Sequence, residues 1–503
     1  MSYLLSLKLL SLLVGFVIAF AARRVVASRR RNPRRLPYPP GPKGKPFVGN
    51  LAQFPRMYAF LGFHEISKEY GDMVYLRVLG KDMLILSSIK RITDLLEKRA
   101  VHTSNRSQLP TVELGGMGWN FAAMPYGNRW RQYRRAFHQH FNQLAIPRYH
   151  PIMQEEASIF LGKLKDDPAQ WVTHLRSLFG TAIMRATYGF DDIGKNNSLI
   201  EAVESLIKRL SLANIPGRYL VNSFPLLKHV PEWMPGAGFQ RELREIAELN
   251  QKILNTPFEE ARAKMAGGQK GLYPSMTSAL VESLPDETHP DNTHAEHMAR
   301  GICAVSYIAG SETSIAAAMA LVCALANNPQ VQKKAQAELD AVIGTDRLPL
   351  MKELTRWFSP APLAVPHSTM EDDEYDGYFI PKGTTMFANV WSIMHDPELF
   401  ERPFEFTPER YLKEGKADSA VIDPESLIFG FGRRICPGRH FAEDVLFVFA
   451  ASIISSFEIG PPKDQEGNPV EVKLVTRETG SVAMPYPFEC FMTPRPQREP
   501  LLG

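Results

Sequence analysis

The chain has 503 residues, 44% of them hydrophobic, which is enough to bury a large core. Its formal charge of +4 is small for that length and gives no case for nucleic acid as a main partner. Four cysteines, Cys303, Cys323, Cys436 and Cys490, contain no C-x-x-C pair, so neither a zinc ribbon nor a disulfide scaffold is indicated and the thiols read as reduced.

Residues 3–22, YLLSLKLLSLLVGFVIAFAA, amount to one bilayer span broken only by Lys8. Seven arginines follow in RRVVASRRRNPRR, and positive charge on that flank holds it on the cytoplasmic side. A retained anchor over 1–22 is therefore expected, with a cleaved signal peptide ending near Ala19-Phe20-Ala21 as the rival reading. Residues 36–50, LPYPPGPKGKPFVGN, are too rich in proline and glycine for helix or central strand. They read as a stiff connector, making 23–50 a hinge and 51–503 the body.

In the body, YLRVLGKDMLILS (75–87) predicts a hairpin around Gly80-Lys81. RWRQYRRAFHQHF (129–141) predicts a basic amphipathic helix. Residues 291–327 predict one long helix with a capping pattern near Asn292; it becomes apolar on every side, which belongs in the middle of a large fold. Residues 328–343 continue as a charged amphipathic helix, prolines after 360 mark short strands and turns, and a last helix follows Cys436. The fold class is mostly α with a minor β portion. Cys303 and Cys323 sit in apolar runs and read as core residues, while His138 and His140 lie two apart on a helix and read as surface or packing residues rather than a metal pair.

FGFGRRICPG (429–438) surrounds Cys436 with three glycines and two arginines. A thiolate is a soft ligand for iron, and a positive field, here from Arg433 and Arg434, keeps it deprotonated. Glycines let backbone amides approach the sulfur, and the following helix adds its dipole. A glycine-rich surface turn with an incidental cysteine is the bland alternative. In AGSETS (309–314), Gly310 allows close approach of a ligand to a helix backbone. Glu312 and Thr313 set an acid beside an alcohol, a pair able to relay protons from water. Glu353 and Arg356 share a helix face. Trp130 and Arg134, four apart on a helix, offer an indole N–H and a guanidinium to a carboxylate.

The pattern F-x-x-G-x-R-x-C-x-G, met by Phe429, Gly432, Arg434, Cys436 and Gly438, resembles the haem-binding loop of cytochromes P-450. AGSETS resembles that family's oxygen-binding groove, Glu353-x-x-Arg356 its E-x-x-R helix, FTPERY (406–411) the segment giving the third triad member Arg410, and Trp130-x-x-x-Arg134 its W-x-x-x-R. MPYGNRWRQYRRAFHQHF, APLAVPH and ETGSVAMPYPF look most like fungal enzymes of the O-methylsterigmatocystin oxidoreductase type.

The resemblance implies a cytochrome P-450 fold behind an N-terminal transmembrane helix, in the endoplasmic reticulum membrane with the body cytosolic. It implies haem b, with Cys436 as the axial ligand and Trp130, Arg134, His367, Phe429, Arg434 and Gly438 around the cofactor. Glu312 and Thr313 would be the catalytic pair. The implied partners are NADPH-cytochrome P-450 reductase, cytochrome b5 and an apolar small molecule, a terpenoid or polyketide type of fungal secondary metabolite, which would be monooxygenated. One departure stands out. About a dozen residues that the family carries before E-x-x-R are missing, because DRLP (346–349) runs almost directly into LMKELTR, so Glu353 is expected near the start of a short helix. This leaves a second reading, a haem-binding protein without turnover; a reductase-independent isomerase or dehydratase is a third, which the intact Gly-Ser-Glu-Thr run argues against.

Overall fold

The computed structural model describes residues 29–190, 193–213, 215–269, 271–341, 349–477 and 482–497. The anchor expected over 1–22 lies outside them. The helices used below are α1 (Ala59–Tyr70), α2 (Asn128–Phe141), α3 (His150–Asp166), α4 (Trp171–Tyr188), α5 (Ile193–Ala213), α6 (Gly238–Ala266), α7 (Asn292–Asn327), α8 (Pro329–Ala341), α9 (Pro349–Trp357) and α10 (Arg439–Ser456).

The hairpin forms as β1 (Met73–Val78) and β2 (Lys81–Leu86), antiparallel, with Gly80 taking the positive φ of 79° that the tight turn requires. β2 then pairs in parallel with β6 (Thr385–Ala388), and β6 pairs antiparallel with β3 (His367–Ser368). A second, two-stranded pair joins β4 (Asp373–Tyr375) to β5 (Tyr378–Ile380). The main sheet matters here because it fixes His367 opposite Met386 in β6.

Residues 37–50 are not a free connector. Tyr75 N–H donates to Pro40 O at 2.7 Å and Phe379 N–H to Pro37 O at 2.8 Å. The segment is laid against the sheet, and a side chain at Gly41 would overlap the Tyr75 carbonyl. Further back in the hinge, Arg31 pairs with Asp372 and Arg34 with Glu374 at 2.5 Å.

α7 runs 36 residues, about 54 Å, through the centre. No side chain caps its start: Asn292 instead donates to Pro285 O at 2.6 Å, so the capping pattern read from the sequence is not used. Its small residues, Ala304, Ala316, Ala318 and Ala320 among them, are buried and let α4 and α10 pack closely. Cys303 and Cys323 are buried core residues as expected. His140 is buried, and burial together with Arg148 pushes its imidazole down to about 4, whereas His138 is exposed; no group of three or more His, Cys, Asp or Glu able to hold a metal occurs among the described residues.

Candidate active site

Six parts of the chain meet around an apolar cavity of about 320 Å³: the segment 106–122, α2, α4 through Ile183, the middle of α7, the segment 354–367, and the loop 428–438 with the start of α10. Cys436, Phe429, Gly438, Arg434, Trp130, Arg134, His367 and Thr313 all line it. Eight residues singled out from sequence therefore share one wall system. Glu312 is the exception.

The cysteine loop is locally determined. Cys436 N–H donates to Phe429 O at 2.7 Å, closing the loop on itself. Gly430 and Gly432 have φ of 77° and 52°, and a Cβ at Gly432 would overlap Leu96 O, so this position must be glycine. The Gly438 amide, just before α10, donates to the sulfur. Burial still raises the thiol above its ordinary value, against the Gly438 amide and the charges of Arg134 and Arg439. That corrects the sequence reading of the field. Arg433 turns outward to donate to the Tyr126 hydroxyl, and Arg434 spends its protons elsewhere.

Arg434 is buried and donates to Ser104 O at 2.7 Å, Met124 O at 2.7 Å and Phe121 O at 3.3 Å, with its guanidinium 4.4 Å from the Trp130 ring. Arg106, which sequence reasoning missed, is equally buried and donates to Ala122 O, Val365 O and Pro366 O at 2.8 to 3.0 Å. Arg134 also lines the cavity. Burial pulls all three guanidiniums down, Arg106 to about 9 and Arg434 to about 10. Nothing in the irregular run Ser104-Asn105-Arg106 marks Arg106 in the sequence; tertiary folding alone carries it to residues 365 and 366.

Among the described residues no carboxylate pairs with Arg106, Arg134 or Arg434. Buried cations without anions are costly, so this wall is built for an anionic ligand. A haem fits it: two propionates can meet the guanidiniums and the Trp130 indole, with Cys436 free to take the iron. His367 enters this picture differently from the expectation. Its Nδ1–H donates to Thr103 O at 3.0 Å, and burial with Arg106 holds the ring well below its ordinary pKa. It presents a neutral ring to the cavity, and only a nearby anion would protonate it into a donor.

On α7, Thr313 faces the cavity and its hydroxyl donates to Ala309 O at 2.9 Å. Glu312 is 3% exposed, does not line the cavity, and leaves Oε2 without a partner. Burial, helped by Glu204, raises its pKa, while Arg477 and Arg176 oppose the rise. The acid and the alcohol are thus on different sides of one helix turn. Gly310 also has a reason unlike the one read from sequence: a Cβ there would press on Ile183 of α4 at 3.0 Å, so the glycine admits a helix as well as a ligand.

Behind the cysteine loop, Glu353 accepts from Arg356 Nη2 at 2.6 Å and Nε at 3.0 Å, and from Arg410 Nε at 2.9 Å. Arg356 also donates to Met394 O and Pro403 O, tying α9 to the segment before Cys436. The triad is complete even though α9 has only nine residues, with Glu353 as its fifth.

A half-buried cysteine in a glycine loop, beside an apolar chamber walled by guanidiniums without carboxylate partners, is a site that a haem-thiolate protein would need. A family model for cytochrome P450 matches residues 39–484. Cytochrome P450 monooxygenase COX1 of Coprinopsis cinerea is 46% identical over 499 residues, covering 96% of this chain and 96% of its own. Tryptamine 4-monooxygenase of Psilocybe cyanescens is 36% identical over 97% of this chain and 98% of its own. A zebrafish cytochrome P450 structure with abiraterone superposes with a TM-score of 0.68 at 23% identity, over 87% of this chain and 99% of that one, which shows the fold. The chain belongs to the cytochrome P450 family. It is a monooxygenase, and haem b is its cofactor.

Proposed function

We propose that this enzyme inserts one oxygen atom from O2 into an apolar small molecule, a fungal secondary metabolite of terpenoid or polyketide type. The observation that carries the reading is the cavity itself. Beyond the arginine wall its lining is Ile183, Val305, Ala309, Phe358, Ala361 and Val365, which can hold a hydrocarbon by dispersion and exclusion of water but can orient it only by shape. When bound, haem activates dioxygen and supplies the oxygen atom. The chain's own residues would do the rest: Cys436 would ligate the iron, Arg106, Arg134, Arg434 and Trp130 would hold the propionates, and Phe429 and Gly438 line the same cavity. Thr313 holds and hands on a proton at its hydroxyl, and Glu312 refills it from the far side of α7.

Electrons come from NADPH-cytochrome P-450 reductase, with cytochrome b5 as a second donor. Residues 1–22 anchor the protein in the endoplasmic reticulum membrane, with 51–503 as the cytosolic catalytic domain behind the 23–50 hinge. α7 is long and apolar enough to cross a bilayer by composition, but it is the core helix of the body, so no second span is invoked.

The test is Cys436→Ser. The wild type should give a red-shifted Soret band in its reduced CO complex and the variant should not. Retention of the band would remove Cys436 as ligand. A haem-binding protein without turnover is not favoured, because the Glu353–Arg356–Arg410 triad is made and a named monooxygenase aligns over 96% of the chain.

A further inference from the structure

Glu312 is not the only orphaned polar group on its side of α7. Tyr307, earlier on the same helix, is also buried, and both Glu312 Oε2 and the Tyr307 hydroxyl lack a hydrogen-bond partner. Two such atoms in one interior region are costly, and ordered water is what ordinarily satisfies them.

An acid at the surface lies beyond them. α4 packs against both α7 and α5. Between α4 and α5, Arg176 donates to Glu204 at 2.5 Å, and both side chains are partly exposed. Burial raises the Tyr307 phenol, and the charges of Glu204 and Glu312 both add to that rise, so the two carboxyls flank one hydroxyl. The charged groups facing Glu312 are Glu204 from α5, Arg176 from α4 and Arg477 from the C-terminal segment. A guanidinium stays protonated and cannot hand a proton on. Glu204 is then the one group among these three that can take a proton from solvent and release it inward.

We infer that Glu204 is the proton entrance for Glu312: it takes a proton from solvent and passes it, by way of the Tyr307 hydroxyl and bound water, to Glu312 Oε2. At each step one O–H bond breaks at the donor as one forms at the acceptor. Glu204 returns to its carboxylate, Tyr307 and the water end as they began, and no electrons move. The route gives α7 a wet side and a dry side, so protons arrive without opening the apolar cavity to water. It rests on Glu312 supplying Thr313, as proposed above.

The test is infrared spectroscopy of the purified holoprotein, which needs no substrate. The protonated Glu312 C=O band is assigned in mildly acidic buffer as the one missing from Glu312→Gln. Its shift after rapid mixing with D2O reads how fast protons reach that carboxyl. Glu204→Gln should slow this exchange roughly tenfold or more. Arg176→Gln breaks the same ion pair but keeps the acid, so exchange should stay fast. Wild-type exchange in Glu204→Gln overturns the inference, and so does equal slowing in both variants, since packing and not the acid would then set access. Tyr307→Phe should both slow exchange and move the Glu312 band, and it carries the test if Glu204→Gln does not fold; an unmoved band with wild-type exchange overturns the route. NADPH consumption with reductase and dioxygen separates the two readings. Glu312→Gln at the wild-type rate removes Glu312 as supplier and the route with it. A slow Glu312→Gln beside a wild-type Glu204→Gln overturns the route alone.

Discussion

Arg410 lies 57 positions after Glu353, yet its Nε donates to Glu353 Oε2 at 2.9 Å, on the same carboxylate that Arg356 grips with two hydrogen bonds. Glu353 and Arg356 are fully buried. Removing one member leaves uncompensated charge in the interior, which costs about 3–5 kcal/mol. Glu353→Ala should therefore strand two guanidiniums and give protein that loses haem on purification. Arg410→Lys, at the rim with 10% of its side chain exposed, should be milder. Haem content per chain and melting temperature for the two variants check this ordering.

Thr313 lines the cavity and Glu312 does not, so their variants should fail differently. If Thr313 hands on the proton as proposed, Thr313→Ala should uncouple the enzyme, with NADPH consumed and hydrogen peroxide released in place of product. If Glu312 supplies that proton, Glu312→Gln should slow turnover at unchanged substrate affinity. Measuring peroxide yield beside kcat and KM separates the two; unchanged coupling in Thr313→Ala would remove it from the relay.

Glu312 also makes a stability prediction whose sign follows from linkage. Burial raises its pKa in the fold above the ordinary 4.5. The folded state then holds its proton to higher pH than the unfolded chain does. The group costs nothing below pH 4.5, and the folded state loses stability as pH climbs from there toward the raised value. Glu312→Gln removes that loss. The variant should match the wild type in acid and melt higher at neutral pH, and a constant difference across pH would contradict the buried carboxyl.

Much of this was legible in the sequence, and the reason is periodicity. The helix read over 129–141 forms as Asn128–Phe141, the one over 291–327 as Asn292–Asn327, and the hairpin around Gly80 forms with that glycine in its turn. Long amphipathic or uniformly apolar runs leave the chain few ways to bury them. The cysteine loop was equally visible, because its glycines and Cys436 sit within ten residues. Hidden were the features that arise only when distant segments meet: Arg106 against Val365 and Pro366, the charges at Cys436 coming from Arg134 and Arg439, and the turning of Glu312 away from the cavity. A pattern lists residues, but the side of a helix turn that each one serves is decided by the packing around it.

Gly432 gives a sharper test of the loop than its length would suggest. Its φ of 52° is costly for any residue with a Cβ, and that Cβ would also run into Leu96 O. Gly432→Ala should lower haem occupancy and melting temperature together. Gly438→Ala is the contrast: its φ is −96° and no atom lies within 4 Å of a Cβ there, so the fold should tolerate it. Equal losses in both would mean that cofactor contact, not backbone strain, limits the loop.

The last prediction concerns the residues missing before Glu353. The resemblance to the family implies that about a dozen residues are missing just before LMKELTR. The consequence is a short α9: nine residues from Pro349, with proline in the first turn, where its missing N–H costs nothing, and Glu353 one turn in. A helix that short does not hold itself in water; it stands on its tertiary contacts, chiefly Arg356 to Met394 O and Pro403 O and the bonds that Arg410 Nε and Thr407 N–H donate to Glu353. The triad is made, so the chain can fold to the haem-binding state; if the resemblance is right about the missing residues, the triad lacks helical turns that would resist fraying at its N-terminal side. Restoring the segment, from any skipped in-frame exon or from the corresponding stretch of COX1, should raise haem occupancy and melting temperature without moving the Soret position, since no cavity residue changes. Equal occupancy and equal melting for the short and restored chains would make the deletion harmless and show that the hydrogen bonds of Glu353 suffice by themselves.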